Sequence, residues 1–179
     1  MYEVELKAKI ADMNALRKEL VGKDLKLKSE IIQKDHIYGF EGDFPPKDGG
    51  VIARIREVDN HKVLEIKEID REHGGIEIPH EIKEIEPYHK LLLKLGFKKF
   101  FVVKKKRTKY SVQGLTLCLD SVEGLGDFIE VEKIVKKESE KKKAKEECLE
   151  FLESLKTAYE LTNQKYGDIM CEKLGIKNN

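Results

Sequence analysis

Tyr2-Glu3-Val4-Glu5-Leu6-Lys7-Ala8-Lys9-Ile10 is the stretch whose reading decides the fold. Apolar residues hold positions 2, 4, 6, 8 and 10, and Glu3, Glu5 and Lys7 fall between them. Strand side chains alternate faces, so one face is oily while the other carries two carboxylates and an ammonium spaced roughly 7 Å apart. For one strand alone, a solvated outer face accounts for this pattern. The same split recurs down the chain. Ala53 and Ile55 oppose Arg54 and Arg56, and Leu64 and Ile66 oppose Glu65 and Lys67. Lys105 and Arg107 fall in step with Val103, and Leu115, Leu117 and Leu119 oppose Thr116, Cys118 and Asp120. Ile129, Val131 and Ile134 are expected to lie largely opposite Glu130 and Glu132.

The segments between these strands read as helices and turns. Asp12 suits the N-cap of a helix over Met13–Val21, with Leu16 and Leu20 on one face and Gly22 as its stop. Residues 26–40 read as a strand with Ile31, Gln33, Asp35 and Ile37 on one side, and the Pro and Gly residues of 43–50 mark a loop. Val51–Val58 and Lys62–Ile69 form a hairpin around Asp59-Asn60. Gly74-Gly75 leads into a strand over Ile76–Ile85, and Pro87 opens a short helix that runs to Leu95 before Gly96. Strands are expected at Phe97–Tyr110, Ser111–Gln113, Leu115–Asp120 and Asp127–Ile134. Ser139 to Leu174 reads as helix broken near Thr157 or Gly167, and the mixed-sign run Lys136–Glu147 suits its exposed face. Many strands on short links, with helices inserted and appended, favour an α+β fold with an antiparallel sheet over a doubly wound parallel one.

Composition narrows the function classes. A chain of 179 residues fits a single domain over 1–179 with one core. Charged residues reach 39 %, yet the formal net charge is only +1, which argues against a nonspecific nucleic-acid coat. There is no apolar run long enough to span a membrane and no basic-then-apolar leader, so a soluble cytoplasmic protein is expected. Cys118, Cys148 and Cys171 show no metal-ligand spacing, which disfavours a disulfide framework or a zinc site. Abundant Lys and Glu with scarce Asn and Gln is a composition common in thermophile proteins.

Two arrangements satisfy the alternating strands. An open sheet packs its oily face on helices and shows its charges to water. A sheet closed into a barrel turns the same charges inward. An exposed face should mix signs, whereas Glu3/Glu5, Glu130/Glu132, Arg54/Arg56 and Lys105/Arg107 place like charges two residues apart, at a cost that a ligand would relieve. Grouped carboxylates are how proteins hold Mg²⁺ or Mn²⁺. Paired arginines suit phosphate oxygens. Together they describe a site for a metal-bound polyphosphate.

Glu3-Val4-Glu5-Leu6-Lys7 resembles the signature of the CYTH, or triphosphate tunnel metalloenzyme, superfamily. Further segments match in order: Gln33-Lys34-Asp35-His36-Ile37-Tyr38, Ala53-Arg54-Ile55-Arg56, Leu64-Glu65-Ile66-Lys67, Val103 to Arg107, and Leu119 to Glu132. The resemblance spans nearly the whole chain and implies a closed eight-stranded antiparallel barrel with helices outside. It implies Glu3, Glu5, Glu130 and Glu132 as ligands of one or two divalent cations, Mg²⁺ or Mn²⁺, with Asp120 beside them. It implies Lys7, Arg54, Arg56, Lys67, Lys105 and Arg107 as phosphate contacts, with Lys67, Arg107 and Asp120 as the catalytic candidates. The compact class IV adenylyl cyclase-like branch fits best, converting ATP to cyclic AMP and pyrophosphate, and an inorganic or thiamine triphosphatase is the alternative. A noncatalytic polyphosphate-binding module on the same barrel is a reading of another class. The chain has no Trp, so an indole platform for thiamine is missing. A triphosphate is thus the expected partner, with no nucleic acid and no membrane, and the cyclase-like branch admits a homodimer.

Other residues receive plainer readings. His36, His61, His73, His80 and His89 show no ligand spacing and are expected on the surface or in loops, with His36 facing away from Asp35. Glu77 and Glu81 share a face and add charge either to the lumen or to a solvated surface. Gly124 and Gly126 read as turn residues. Lys165-Tyr166 corresponds loosely to a tunnel-closing helix of the family. Apolar residues between 149 and 161 read as core packing.

Overall fold

The N-terminal alternation produces a strand, β1 (Tyr2–Ile10), in which Ala8 and Ile10 are buried and Glu3 and Glu5 exposed. The computed structural model describes residues 2–69 and 76–177, so the expected Gly74-Gly75 turn and His73 lie outside the described residues. After β1 come α1 (Met13–Leu20), β2 (Lys26–Gly39), β3 (Val51–Val58), β4 (His61–Glu68) and β5 (Ile76–Ile82). Then follow α2 (Glu86–Lys94), β6 (Lys98–Val112), β7 (Leu115–Val122), β8 (Gly126–Val135), a 3₁₀ turn at Glu138–Glu140, α3 (Lys141–Glu153), β9 (Tyr159–Thr162) and α4 (Tyr166–Leu174). This is an antiparallel, sheet-rich α+β fold.

Local chemistry sets the boundaries. The Asp12 carboxylate accepts from the backbone N–H groups of Asn14 (2.9 Å) and Ala15 (3.0 Å), satisfying two of the orphan donors that open α1. Ser111 and Val112, expected with Gln113 as a separate strand, instead complete β6. Gln113 (φ 49) and Gly114 (φ 79) both adopt positive φ, the conformation of a two-residue hairpin turn, and join β6 directly to β7.

The expected helix over Ser139–Leu174 is two helices with a strand between them. Beyond α3 the Glu19 carboxylate accepts from the N–H groups of Lys156 (2.7 Å) and Thr157 (3.0 Å), and from the Thr157 hydroxyl (2.8 Å). Those donors are therefore turned away from helical partners. The β-forming Tyr159-Glu160-Leu161-Thr162 then pairs with the end of β1, Ile10 opposite Tyr159.

Hydrogen bonds order the strands β5-β4-β3-β2-β6-β7-β8-β1-β9. Among the described residues there are nine strands rather than eight, and the order does not return from β9 to β5. The closed eight-stranded barrel is therefore not formed by hydrogen bonds.

The chain resolves into two compact units, residues 1–31 with 105–163 and residues 32–104 with 164–179, and β2 and β6 each run through both. In the first, Ala8, Ile10, Leu117, Leu119, Ile129 and Val131 pack against Met13, Leu16 and Leu20 of α1 and Cys148, Phe151 and Leu152 of α3. In the second, Tyr38, Ala53 and Ile55 pack with Ile82, Leu92 of α2 and Phe97. Each unit thus covers the oily face of its strands with helix. Ile134 departs from the expected pattern: it shares the parity of Glu130 and Glu132 and is 61 % exposed, while Val135 takes the core side.

Leu117 is fully buried between the sheet and its covering helices. Leu117→Ala is expected to lower stability by about 2–5 kcal/mol through lost transfer energy and the cavity left behind. Urea unfolding with an unchanged m-value checks this.

Candidate functional site

Antiparallel register, which the sequence alone does not specify, sets the charges of neighbouring strands against one another. In the first unit, Glu5 lies opposite Glu132 and Lys7 opposite Glu130. Cys118 lies opposite Glu130, and Arg107 opposite Asp120. This face is withdrawn from water: Asp120 is 0 %, Glu130 4 %, Lys105 7 % and Glu132 8 % exposed. A solvated outer face would leave these groups open.

Buried ions are costly unless paired and hydrogen-bonded. Arg107 meets Asp120 with both prongs of its fork, Nε to Oδ1 at 2.7 Å and Nη2 to Oδ2 at 2.6 Å, while the Lys105 ammonium donates to Oδ2 at 3.0 Å. Arg107 also pairs with Glu130. The Lys7 ammonium lies 3.2 Å from Glu130 and 3.5 Å from Glu5. Burial alone would raise the Asp120 pKa, but the hydrogen bonds from Arg107 and the charge of Lys105 outweigh it and hold the carboxyl below its ordinary value. Burial likewise opposes the Arg107 charge, yet Asp120 and Glu130 hold its pKa above the ordinary one. For Lys105, burial dominates and the pKa falls despite the nearby Asp120.

Two carboxyls behave in the opposite way. Glu5 keeps 37 % of its side chain in water, yet the protein packed around it desolvates the carboxyl and raises its pKa, with the charge of Glu130 adding to the rise and Lys7 opposing it. Burial also raises that of Glu132, and Glu3 contributes in the same direction. Lys109 and Arg107 pull the Glu132 pKa back without cancelling its burial, and a divalent cation beside these carboxyls would favour their ionised forms. Ligand oxygens of Glu3, Glu5 and Glu132 lie within 4.8 Å of one another, as do those of Glu130 and Glu132 with the Cys118 sulfur. An oxygen-donor set of this span fits a hard divalent cation, whose ligands sit about 2.0–2.6 Å away. Asp120 lies outside both groupings, its two oxygens engaged by Arg107 and Lys105. Cys118, which sequence reasoning did not single out, is a buried thiol pushed up to about 12, by burial first, and it donates to Glu132 at 3.4 Å.

The second unit repeats the arrangement with cations in excess on β3. Asp35 lies opposite Arg56, Arg54 opposite Glu65, and Lys67 opposite Glu77. Arg56 grips Asp35 through Nε and Nη2, both at 2.8 Å, and the Gln33 amide donates to the same carboxylate at 2.9 Å. Arg54 donates through Nε to Glu65, and its Nη2 lies 3.7 Å from Glu77. Lys67 pairs with Glu77. Burial would raise the Asp35 pKa, but Arg56 and then Arg54 hold it below the ordinary range, and Arg56 is held above its own. Arg54 and Arg56, expected to repel until a ligand arrives, are thus already answered by carboxylates across the sheet.

Of the remaining expectations, Glu77 joins the charged face whereas Glu81 stays exposed opposite Val63. His36 bonds Glu57 at 2.7 Å and His89 bonds Tyr38 at 3.1 Å, so both are more engaged than surface histidines. No histidine enters either metal grouping among the described residues. Lys165 precedes α4, its N–H donating to Asp168 at 3.1 Å.

Comparison with known proteins agrees with this geometry. A CYTH domain matches residues 1–164. A Methanocaldococcus jannaschii protein named "Putative adenylate cyclase" is 34 % identical over 161 residues, 87 % of this chain and 90 % of its own. The solved structure of a Pyrococcus horikoshii protein is 34 % identical with a TM-score of 0.75, over 96 % of this chain and 99 % of that one. A Hippeastrum protein, described as a "putative adenylyl cyclase" with a dominant triphosphatase activity, shares the fold at a TM-score of 0.67 and 19 % identity, over 97 % and 96 % of the two chains.

Asp35 gives a pH signature. Its folded pKa lies below the ordinary 3.8, so its ionic pairing stabilises the protein above that pH and the contribution is lost as pH falls through the folded value. Asp35→Asn is expected to cost on the order of 1–3 kcal/mol at neutral pH. It should also flatten the acid limb below 3.8. Urea unfolding across that range measures both effects.

Proposed function

The chain belongs to the CYTH domain family, and from that premise we propose that it is a divalent-metal-dependent enzyme acting on a triphosphate, of the class IV adenylyl cyclase kind, converting ATP to cyclic AMP and pyrophosphate. The observation that carries this reading is the burial of a face dense in both signs of charge, with Asp120, Glu130, Glu132, Lys105, Asp35 and Glu65 all at or below 9 % exposure. Stability alone does not favour such a face, since buried ion pairs are often no better than apolar packing. A preorganised binding surface for a metal and a polyanion does favour it.

In this proposal Glu3, Glu5, Glu130 and Glu132 hold Mg²⁺ or Mn²⁺. When bound, the metal supplies charge neutralisation at phosphate oxygens and a lowered pKa for the attacking hydroxyl. Lys7, Arg54, Arg56, Lys67, Lys105 and Arg107 grip the phosphates. Asp35 and Asp120 take up the forks of Arg56 and Arg107, which fixes each guanidinium for the ligand. Asp120 accordingly acts through Arg107 as well as beside the metal. Lys67 and Arg107 offset the charge that develops on the transferring phosphoryl group, so positioning and electrostatics do most of the catalysis. In the cyclase reaction the ribose 3′-hydroxyl attacks the α-phosphate and pyrophosphate leaves. The closed eight-stranded barrel, a single domain over residues 1–179, a cytoplasmic location and a homodimer belong to the same proposal and rest on the family resemblance. No described helix is long and apolar enough to cross a membrane.

Hydrolysis of the terminal phosphate is the second reading. Its support is a set of side chains that address phosphates throughout, together with the triphosphatase activity described for the Hippeastrum protein of the same fold. The missing Trp disfavours thiamine triphosphate among its substrates.

Incubation with ATP, inorganic triphosphate or thiamine triphosphate plus Mg²⁺ or Mn²⁺ separates the readings. Cyclic AMP with stoichiometric pyrophosphate is expected. Phosphate release without cyclic product replaces the cyclase by a triphosphatase, and tight binding without turnover leaves only a binding module. Glu5→Gln removes one ligand charge, leaves Lys7 paired with Glu130, and is expected to weaken Mn²⁺ binding at least about tenfold. Titration calorimetry checks that value.

A further inference from the structure

The three carboxylates that answer the cations of the second unit are not equivalent. The Asp35 side chain is 10 % exposed, and three N–H donors from Arg56 and Gln33 bind it. The Glu65 side chain is 11 % exposed and takes the Nε edge of Arg54, the edge that points back along its own side chain. Neither can leave without stranding a buried guanidinium. Glu77 differs. It stands on β5, which ends the hydrogen-bonded strand order, and its side chain is 40 % exposed. From there it reaches the much less exposed Lys67 (12 %) and lies 3.7 Å from Arg54 Nη2, the outer edge of that guanidinium. A carboxylate between an ammonium and a guanidinium edge has the charge and donor geometry of a bound phosphoryl oxygen.

We propose that Glu77 is an internal competitor for the ligand: its carboxylate fills the Lys67–Arg54 phosphate position in the empty protein and swings out into solvent when a triphosphate binds. The inference rests on the reading of Lys67 and Arg54 as phosphate contacts. Glu77 keeps these two cations oriented and neutralised while no ligand is present, which protects the unit from the repulsion among Arg54, Arg56 and Lys67. It also lowers apparent affinity, because only the fraction of molecules with Glu77 displaced can take the ligand. Asp35 and Glu65 act in the opposite sense, as positioning residues that hold Arg56 and Arg54 in the geometry the ligand needs.

The proposal therefore predicts opposite signs for chemically similar substitutions. Inorganic triphosphate is titrated calorimetrically into the full chain in the presence of a chelator, so that metal ligation does not enter. Glu77→Gln is expected to tighten binding about two- to fivefold, the range of a partly exposed ion pair released. Glu77→Asp, which draws the carboxylate back by one methylene, is expected to tighten it less. Glu65→Gln is expected to weaken binding. Where turnover is measured with metal present, Glu77→Gln should lower KM and leave kcat unchanged. If Glu77→Gln and Glu77→Asp bind equally or more weakly while Arg54→Ala abolishes binding, the phosphate site stands and the competitor role is overturned. If the wild type does not bind inorganic triphosphate, or Arg54→Ala binds as tightly, the phosphate reading itself falls and the competitor role falls with it.

Discussion

The bidentate grip of Arg107 on the fully buried carboxylate of Asp120 is the interaction on which the charged face depends. An ion at zero exposure is tolerable only when its lone pairs are filled, and here Lys105 takes up the remaining capacity on one oxygen. The same guanidinium pairs with Glu130, so the cluster ties β6, β7 and β8 together through side chains as well as through the ladder. Lys7 extends it to β1 by pairing with Glu130 and Glu5. The result is a polar layer with little freedom to rearrange. Such a layer holds charges where a ligand needs them and costs no reorganisation at the moment of binding.

The strands were legible because period-two alternation is a strong signal when it recurs in β1, β3, β4, β7 and β8 with apolar residues on one parity. Helix α1 was legible through Asp12 and the Leu16/Leu20 spacing. What was not legible depended on contacts distant in sequence. The break near Thr157 was expected from the sequence but its cause was not: Glu19 captures the N–H groups of Lys156 and Thr157, 137 and 138 residues away. Nor could β9 be read from four residues whose partner is the far end of β1. Ile134 stands on the charged parity despite its hydrophobicity, because strand period and not residue type decides the face.

The candidate site divides along the same line. Its residue types and strand faces could be read from spacing and family resemblance, whereas their pairing could not, because pairing follows register. Like-charged neighbours such as Arg54 and Arg56 looked costly when only their own strand was considered. Register supplies Glu65 and Asp35 as cross-strand partners and removes most of that cost. Cys118 was passed over for a related reason, since its place among Glu130 and Glu132 exists only once β7 and β8 are paired.

The distribution of perturbed carboxyls then becomes an argument about function. Asp35, Asp120 and Glu77 are held below their ordinary pKa values by cations that outweigh burial, and as internal anions they need no further partner. Glu5 and Glu132 are raised, both by desolvation first, with Glu130 adding to the rise at Glu5 and Lys109 only partly offsetting it at Glu132. The carboxylates thus fall into two populations: those that complete a cation, found in both units, and those of the first unit that a further cation would suit. Stability alone gives no reason to bury Glu132 while Glu3 and Glu5 converge on it from the exposed side. That population lies in the β1–β8 neighbourhood, where Glu3, Glu5 and Glu132 converge as a place suited to a metal, with Lys7 and Arg107 alongside as cations suited to phosphate. Division of labour between these two sets is what a metal-chelated polyanion requires.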